Sequence, residues 1–393
     1  VDMAWKSSQL KLRGNFFDFG KSAVAISSQA RDRDSSFDRA LWGELARSRF
    51  WHVAVPTELG GDGGDLADYM AALEGLTLGS NDPGFLVSVG AHGAVIQLLL
   101  RYGTPEQQRR YLPGLMAGQV GATAATEPTG GSHVAAVRTT ARPVADGQYE
   151  LSGHKCHITN APEADVVVIV GRVAGVGKRD ITLFLIERGQ PGVEFGVNED
   201  LIGLRTSPLG PIRMRDASVD TESVLGGVGG GMAILHWCLA LDRLSFGIIA
   251  AAHMESLLPV ALDRANTREA FGTTISEHQY IQDKLVRTKV AVEASRALSY
   301  VTLDALRCQD PRAGTLASCT KLLSAQGIVE AGLEIVQLFG HLGCDREVGI
   351  ERHLRDAAAF RIAGGTDEMQ KKNIFSQLGR EYGDNWLRAG SEV

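Results

Sequence analysis

The chain has 393 residues, 44% hydrophobic and 22% charged, with 40 Lys and Arg against 46 Asp and Glu, for a net charge of −6. That length exceeds one ordinary hydrophobic core and implies two or three structural units. The acidic balance argues against general nucleic-acid binding, which calls for a basic face. From residue 36 to 45 apolar side chains recur at three- and four-residue spacing behind Ser35-Ser36, which predicts a capped helix, and residues 67–78 and 91–102 repeat the pattern. Thr104-Pro105-Glu106-Gln107 opens a further helix, with Thr at the cap, Pro in the first turn and Gln at the third position. The glycines at 60, 61, 63 and 64 read as a loop between helices. They lack the preceding strand and the Lys-Ser/Thr ending of a phosphate loop.

From about Gly121 the period becomes strand-like. Residues 137–142 alternate, Asp146-Gly147 marks a turn, and residues 164–170 and 181–186 are β-branched runs suited to buried strands. No helical pattern alternates with them, so a small antiparallel barrel or sandwich is expected rather than a doubly wound sheet. Gly226 to Gly231 reads as a connector. Helical periodicity then returns at 232–264, 278–307, 315–342 and 366–378. The expected fold is α+β and multidomain: an N-terminal helical domain (1–120), a central β domain (121–225) and a C-terminal four-helix bundle (226–393).

Five cysteines, far apart and without a C-x-x-C pair, favour reduced thiols over a disulfide framework or a zinc site, so no metal is expected. Lys6, Lys11 and Arg13 have no apolar run between them and give no secretory signal. The apolar run at 234–241 stops at Asp242-Arg243, too short for a membrane span. A cytoplasmic protein without membrane or nucleic-acid partners is the expectation.

Several motifs combine at long separations. They are Thr126-Glu127-Pro128-Thr129-Gly130-Gly131-Ser132, Gly153-His154-Lys155-Cys156-His157-Ile158-Thr159-Asn160, Arg268-Glu269-Ala270-Phe271-Gly272 with Gln279, Gln337-Leu338-Phe339-Gly340-His341-Leu342-Gly343, and Arg355-Asp356-Ala357. In this order and spacing they resemble the acyl-CoA dehydrogenase flavoproteins across nearly the whole chain. The resemblance implies FAD, whose amphipathic tricycle and diphosphate need partners on a rigid scaffold. It places Thr126 near the flavin O2/N1 edge, Thr159 near N5 and His157 on the flavin face. Arg268, Phe271, Gln279, Gln337 and Gly340 fall to the diphosphate and adenosine across a subunit boundary, which implies a homodimer or homotetramer. Thr366 and Glu368 join the cofactor-binding set. Ser132, Arg243 and Gly364 fall to the substrate, an acyl thioester of CoA or of a carrier protein, and an electron-transfer flavoprotein or O₂ accepts the electrons. Three positions depart from the family pattern: His133 stands for Asp, His157 for Trp and His341 for Gly.

Dehydrogenation of an acyl thioester needs a carboxylate that removes the α-proton while the β-hydride passes to the flavin. Gly364 occupies the position where most of the family carries that glutamate. A branch typified by isovaleryl-CoA dehydrogenase carries it on the first long helix of the C-terminal domain, and there this chain has Leu241-Asp242-Arg243-Leu244. Asp242 is thus the candidate base, set among apolar neighbours that raise a carboxylate pKa. Its bland alternative is a structural partner for Arg243. The expected activity is FAD-dependent α,β-dehydrogenation of a small or branched acyl thioester. A flavin monooxygenase on the same scaffold and an inactive FAD-binding subunit are the alternatives.

Overall fold

The computed structural model describes residues 5–145, 147–177 and 179–382; Asp146, half of the expected turn, lies outside them. They form two compact units divided between Asp242 and Arg243.

The first unit opens with helices α1 (Ser7–Phe19), α2 (Ser28–Asp34), α3 (Arg39–Arg47), α4 (Leu66–Ser80), α5 (Pro83–Tyr102) and α6 (Pro105–Met116). The expected cap at Thr104 forms as a reciprocal box: Gln107 N donates to Thr104 Oγ1 at 3.2 Å and Thr104 N to Gln107 Oε1 at 3.0 Å. The cap assigned to Ser35-Ser36 is corrected. Asp38 caps α3 by accepting from Leu41 N at 2.9 Å, and a carboxylate at that position also complements the helix dipole. Arg31 and Asp82, both buried, pair at 3.0 Å and tie α2 to the start of α5.

The sheet follows, with β1 (Gly121–Ala124), β2 (Thr140–Ala145), β3 (Gln148–Thr159), β4 (Val166–Val173), β5 (Ile181–Glu187), β6 (Val193–Phe195), β7 (Leu209–Asp220) and β8 (Val224–Leu225). Strand order is β6-β7-β3-β2-β4-β5-β8, with β1 beside β4. The pairings are antiparallel except β1–β4 and β2–β4, which are parallel. The core is an apolar cluster that includes Ala122, Leu151, Val167, Phe184, Ile212 and Met214.

Helix α7 (Gly231–Thr267) runs through the division between the units. Beyond it come a hairpin of β9 (Glu269–Ala270) and β10 (Thr273–Thr274), then α8 (Gln279–Arg307), α9 (Ala313–Phe339), α10 (Glu351–Phe360) and α11 (Asp367–Tyr382). The apolar run at 234–241 stops at Asp242-Arg243, but the helix continues through them, within the period expected at 232–264. Both charges lie inside a 37-residue helix. By length and composition α5, α7 and the segment Ala313–Cys344 are long and apolar enough to cross a membrane. Their apolar windows are 83%, 61% and 44% buried within the protein, so packing accounts for much of that composition.

Candidate active site

In the first unit the Thr126 loop lies against β3. Cys156 N donates to Thr126 O at 3.1 Å, so Thr126 comes beside the strand that carries His157 and Thr159. Both threonines are half-buried. Beneath them is an ion pair that sequence reasoning missed. Lys155, 0% exposed at its side chain, donates to Glu127 Oε1 at 2.9 Å. Glu127 also accepts from Thr139 N at 2.9 Å, Thr139 Oγ1 at 2.7 Å and Arg138 N at 2.7 Å. Burial would raise its pKa, but the Thr139 hydroxyl, Lys155 and the two amides hold it down at about 2. Burial also draws the Lys155 ammonium down, against the upward pull of Glu127.

His157 is exposed and takes a left-handed φ of 54° at a register shift between β3 and β7. Its Nδ1 lies 2.8 Å from Glu199 Oε2. A non-glycine residue held there is sterically disfavoured and marks a constraint. Asn160, fully buried, donates through Nδ2 to Ser88 O and Gly121 O, each at 3.0 Å. Ser132 and His133 are exposed at the loop tip. The following turn is gripped by Arg172, which donates to Val137 O at 2.7 Å and to Ala135 O.

On α7, Asp242 is half-buried. One turn earlier is Cys238, whose thiol burial, aided by the Asp242 carboxylate, pushes up to about 12. Arg243, the next residue, belongs to the second unit, and its Nε donates to Gly364 O at 3.2 Å. Gln370, also buried, donates through Nε2 to Gly364 O at 3.2 Å and Gly365 O at 2.7 Å. Gly364 has φ 66° and Gly365 φ 93°, a left-handed pair that side chains resist. Asp367, buried below this turn, accepts from Arg361 Nε at 2.7 Å and lies 3.4 Å from Lys321 Nζ. Thr366 Oγ1 accepts from Met369 N at 3.4 Å as the expected cap of α11. Glu368 is exposed in the first turn, its pKa lowered chiefly by its own backbone amide and by the Thr366 hydroxyl.

Arg268, Phe271 and Gln279 gather at the far end of α7. Phe271 and Gly272 form the two-residue β9–β10 turn, and Phe271 is 98% exposed with φ 57°. Left-handed values at both central residues match the hairpin turn. The C-terminal end of α9, with exposed Gln337 and Gly340, lies at the same end of the bundle, because Arg264 stacks over Phe339 at 5.7 Å. Arg268 is exposed and has no ion pair among the described residues. Residues 243 and 267 are separated by about 36 Å of α7 at ~1.5 Å per residue. One chain therefore does not bring Gly364 and Arg268 together.

Models of the N-terminal, middle and C-terminal domains of acyl-CoA dehydrogenase match residues 6–119, 122–217 and 229–379. The chain belongs to the acyl-CoA dehydrogenase family. It is 31% identical to mitochondrial isovaleryl-CoA dehydrogenase of Solanum tuberosum, over 97% of this chain and 93% of that one. It is also 31% identical to L-prolyl-(peptidyl-carrier protein) dehydrogenase of a Serratia species, over 96% and 98% of the two chains. Among solved structures, the prolyl acyl carrier protein oxidase AnaB superposes with TM-score 0.91 at 30% identity, over 96% and 100% of the chains. PigA with FAD and proline does so with TM-score 0.91 at 30% identity, over 96% and 99%. As a member of this family the chain is an FAD-dependent oxidoreductase of acyl thioesters. Its residues fit FAD. Two half-buried hydroxyls flank the Thr126 loop, no atom lies within 4 Å of where a Cβ would stand at Gly130, Gly272 or Gly340, and Arg268 presents an exposed fork suited to a diphosphate.

Proposed function

We propose that the protein oxidises the α,β bond of a small or branched acyl thioester, with the Asp242 carboxylate as the base. The observation that carries this is the grip of Arg243 on the Gly364 carbonyl at 3.2 Å. It ties the segment that has lost the usual glutamate to Arg243, the residue that follows Asp242 in the chain. Asp242 takes the α-proton from carbon onto its carboxylate. Asp242 is half-buried on α7. FAD, when bound, supplies the acceptor for the β-hydride. Thr126, Thr159 and His157 would hold its flavin, and Ser132, Arg243 and Gly364 would serve the substrate. Thr366 and Glu368 contribute to the cofactor site from the start of α11.

Arg268, Phe271, Gln279, Gln337 and Gly340 serve the diphosphate and adenosine of a neighbouring protomer's FAD. The ~36 Å of helix between them and Gly364 supports a homodimer or homotetramer. An electron-transfer flavoprotein or O₂ takes the electrons. The cytoplasm suits five free thiols. The relatives named above are dehydrogenases and an oxidase, which favours this reading over the monooxygenase and the inactive subunit.

Anaerobic mixing of the holoprotein with isovaleryl-CoA, butyryl-CoA and a prolyl-loaded carrier protein tests the proposal and separates the two carriers. Bleaching of the flavin by at least one thioester supports it. A flavin that none of them reduces, but that hydroxylates a substrate after chemical reduction and exposure to air, overturns it in favour of the monooxygenase.

A further inference from the structure

We infer that the buried Glu127–Lys155 pair is a positioning device that sets the Thr126 hydroxyl for the flavin before FAD binds. The inference rests on FAD binding at Thr126 and is independent of the role of Asp242.

Three consecutive residues of the loop are anchored on two consecutive residues of β3. Lys155 Nζ donates to Ala125 O at 3.1 Å and to Glu127 Oε1 at 2.9 Å, which holds both neighbours of Thr126. Cys156 N donates to Thr126 O at 3.1 Å. The backbone of Thr126 is thereby fixed on both sides and through its own carbonyl, while its side chain makes none of these contacts. Gly130 N donates to Glu127 O at 2.9 Å and closes the turn that follows. The far side of the Glu127 carboxylate is tied to the 138–139 backbone, so the brace spans the exit from β1, the start of β2 and the end of β3.

A purely structural role is a poor account of these charges. The sheet has its own apolar core, in which Leu151, Phe184 and Ile212 are buried. Apolar replacement of a buried ion pair is often neutral or stabilising, because both charges are desolvated to make it. What the pair adds is directed geometry in a low-dielectric site, where hydrogen bonds to charged groups are strong and short. Function that depends on a hydroxyl placed to a fraction of an ångström needs such support beneath it.

The double variant Glu127→Gln/Lys155→Met separates the two roles. Gln keeps acceptor capacity toward Thr139, and Met fills the Lys155 stem without its hold on residues 125 and 127. Three readings are taken: FAD affinity by fluorescence quenching, amide hydrogen exchange over residues 125–131, and the urea midpoint. The expected result is FAD binding weakened about tenfold or more and exchange accelerated to a similar degree, with a midpoint near that of the native chain. The visible band shape of the bound flavin should change with them. Wild-type affinity and exchange in a folded double variant overturn the inference. If that variant does not fold, Thr139→Val removes a single hydroxyl from Glu127. It should weaken FAD binding by roughly threefold, and an unchanged affinity there overturns the inference equally. None of these readings involves turnover, so failure of the brace is distinguishable from failure of Asp242 as the base.

Discussion

Gly247 sits one helical turn beyond Arg243, where α7 crosses α8 and α9. A Cβ added there would lie 2.6 Å from Ser299 Oγ and closer still to Thr320 Cγ2. Ordinary contact is about 3.5–4.0 Å, so alanine overlaps its neighbours by roughly 1 Å. Neither neighbour swings away freely. Ser299 Oγ donates to Ser295 O at 2.7 Å, and Thr320 Oγ1 is bonded to Thr302 Oγ1 at 2.7 Å and to Leu298 O at 3.3 Å. Overpacking of this kind costs about 1–3 kcal/mol, against a gain of about 1 kcal/mol from replacing a helical glycine by alanine. Gly247→Ala should therefore lose about 0–2 kcal/mol net. Gly14, inside α1 with no atom within 4 Å of an added Cβ, supplies the control. Gly14→Ala should gain about 0.4–1 kcal/mol. Urea unfolding of the FAD-saturated protein measures both, as midpoint shifts at constant slope. A Gly247→Ala midpoint raised as far as that of Gly14→Ala would refute the close-crossing account.

The remaining expectations concern titration and thiol chemistry. Glu127, ordinarily near 4.5 and held at about 2 in the fold, contributes stability that is present above its unfolded value and lost as pH falls through about 2. Glu127→Gln should flatten the acid-unfolding curve in that window, and an unaltered curve would contradict the assigned contacts. His253 is buried with its Nε2 3.2 Å from His353 Nδ1, and burial, then the charges of His353 and Arg352, lower its pKa. A depressed histidine stabilises the neutral-pH fold and loses that contribution as pH falls below its ordinary 6.5. His253→Gln should thus reduce the loss of urea midpoint below pH 6.5, and a loss as steep as the native one counts against it. Cys308 and Cys344 are exposed whereas Cys238 is buried, so iodoacetamide should alkylate the first two in the native protein. Peptide mass mapping should find Cys238 modified only after unfolding.

Much of the fold was legible because its signals are local. The Thr104 box, the long helical periods and the β-branched runs of β4 and β5 each lie within one stretch of chain. Strand β7 was not legible. Its twelve residues contain Pro211, Arg213, Arg215, Asp216 and Asp220, and the inward–outward alternation breaks at Asp216, where φ is 49°. Asp242-Arg243 ends the apolar run at 234–241 but not the helix, whose period was legible across 232–264. Within α7 the Arg243 guanidinium has a carbonyl to grip 121 residues away. The site divided in the same way. Thr126, Thr159, Arg268 and Gly364 are candidates that rest on motifs. The Glu127–Lys155 brace lay inside two of those motifs unnoticed, because no sequence rule links charges 28 residues apart across a sheet. The left-handed φ of Gly364, 66°, is likewise a tertiary fact that gives the glycine a conformational reason beyond the missing carboxylate.

Asp242→Asn is the most direct test of the proposed chemistry, read by anaerobic stopped-flow bleaching of the flavin with the thioester that reduces the native protein fastest. The change keeps the side chain's size and removes its basicity. FAD content and affinity should stay native, while the reduction rate falls by about 10²–10⁴-fold, the usual contribution of a positioned general base. Reduction at the native rate would contradict the account and return Asp242 to a structural role beside Arg243.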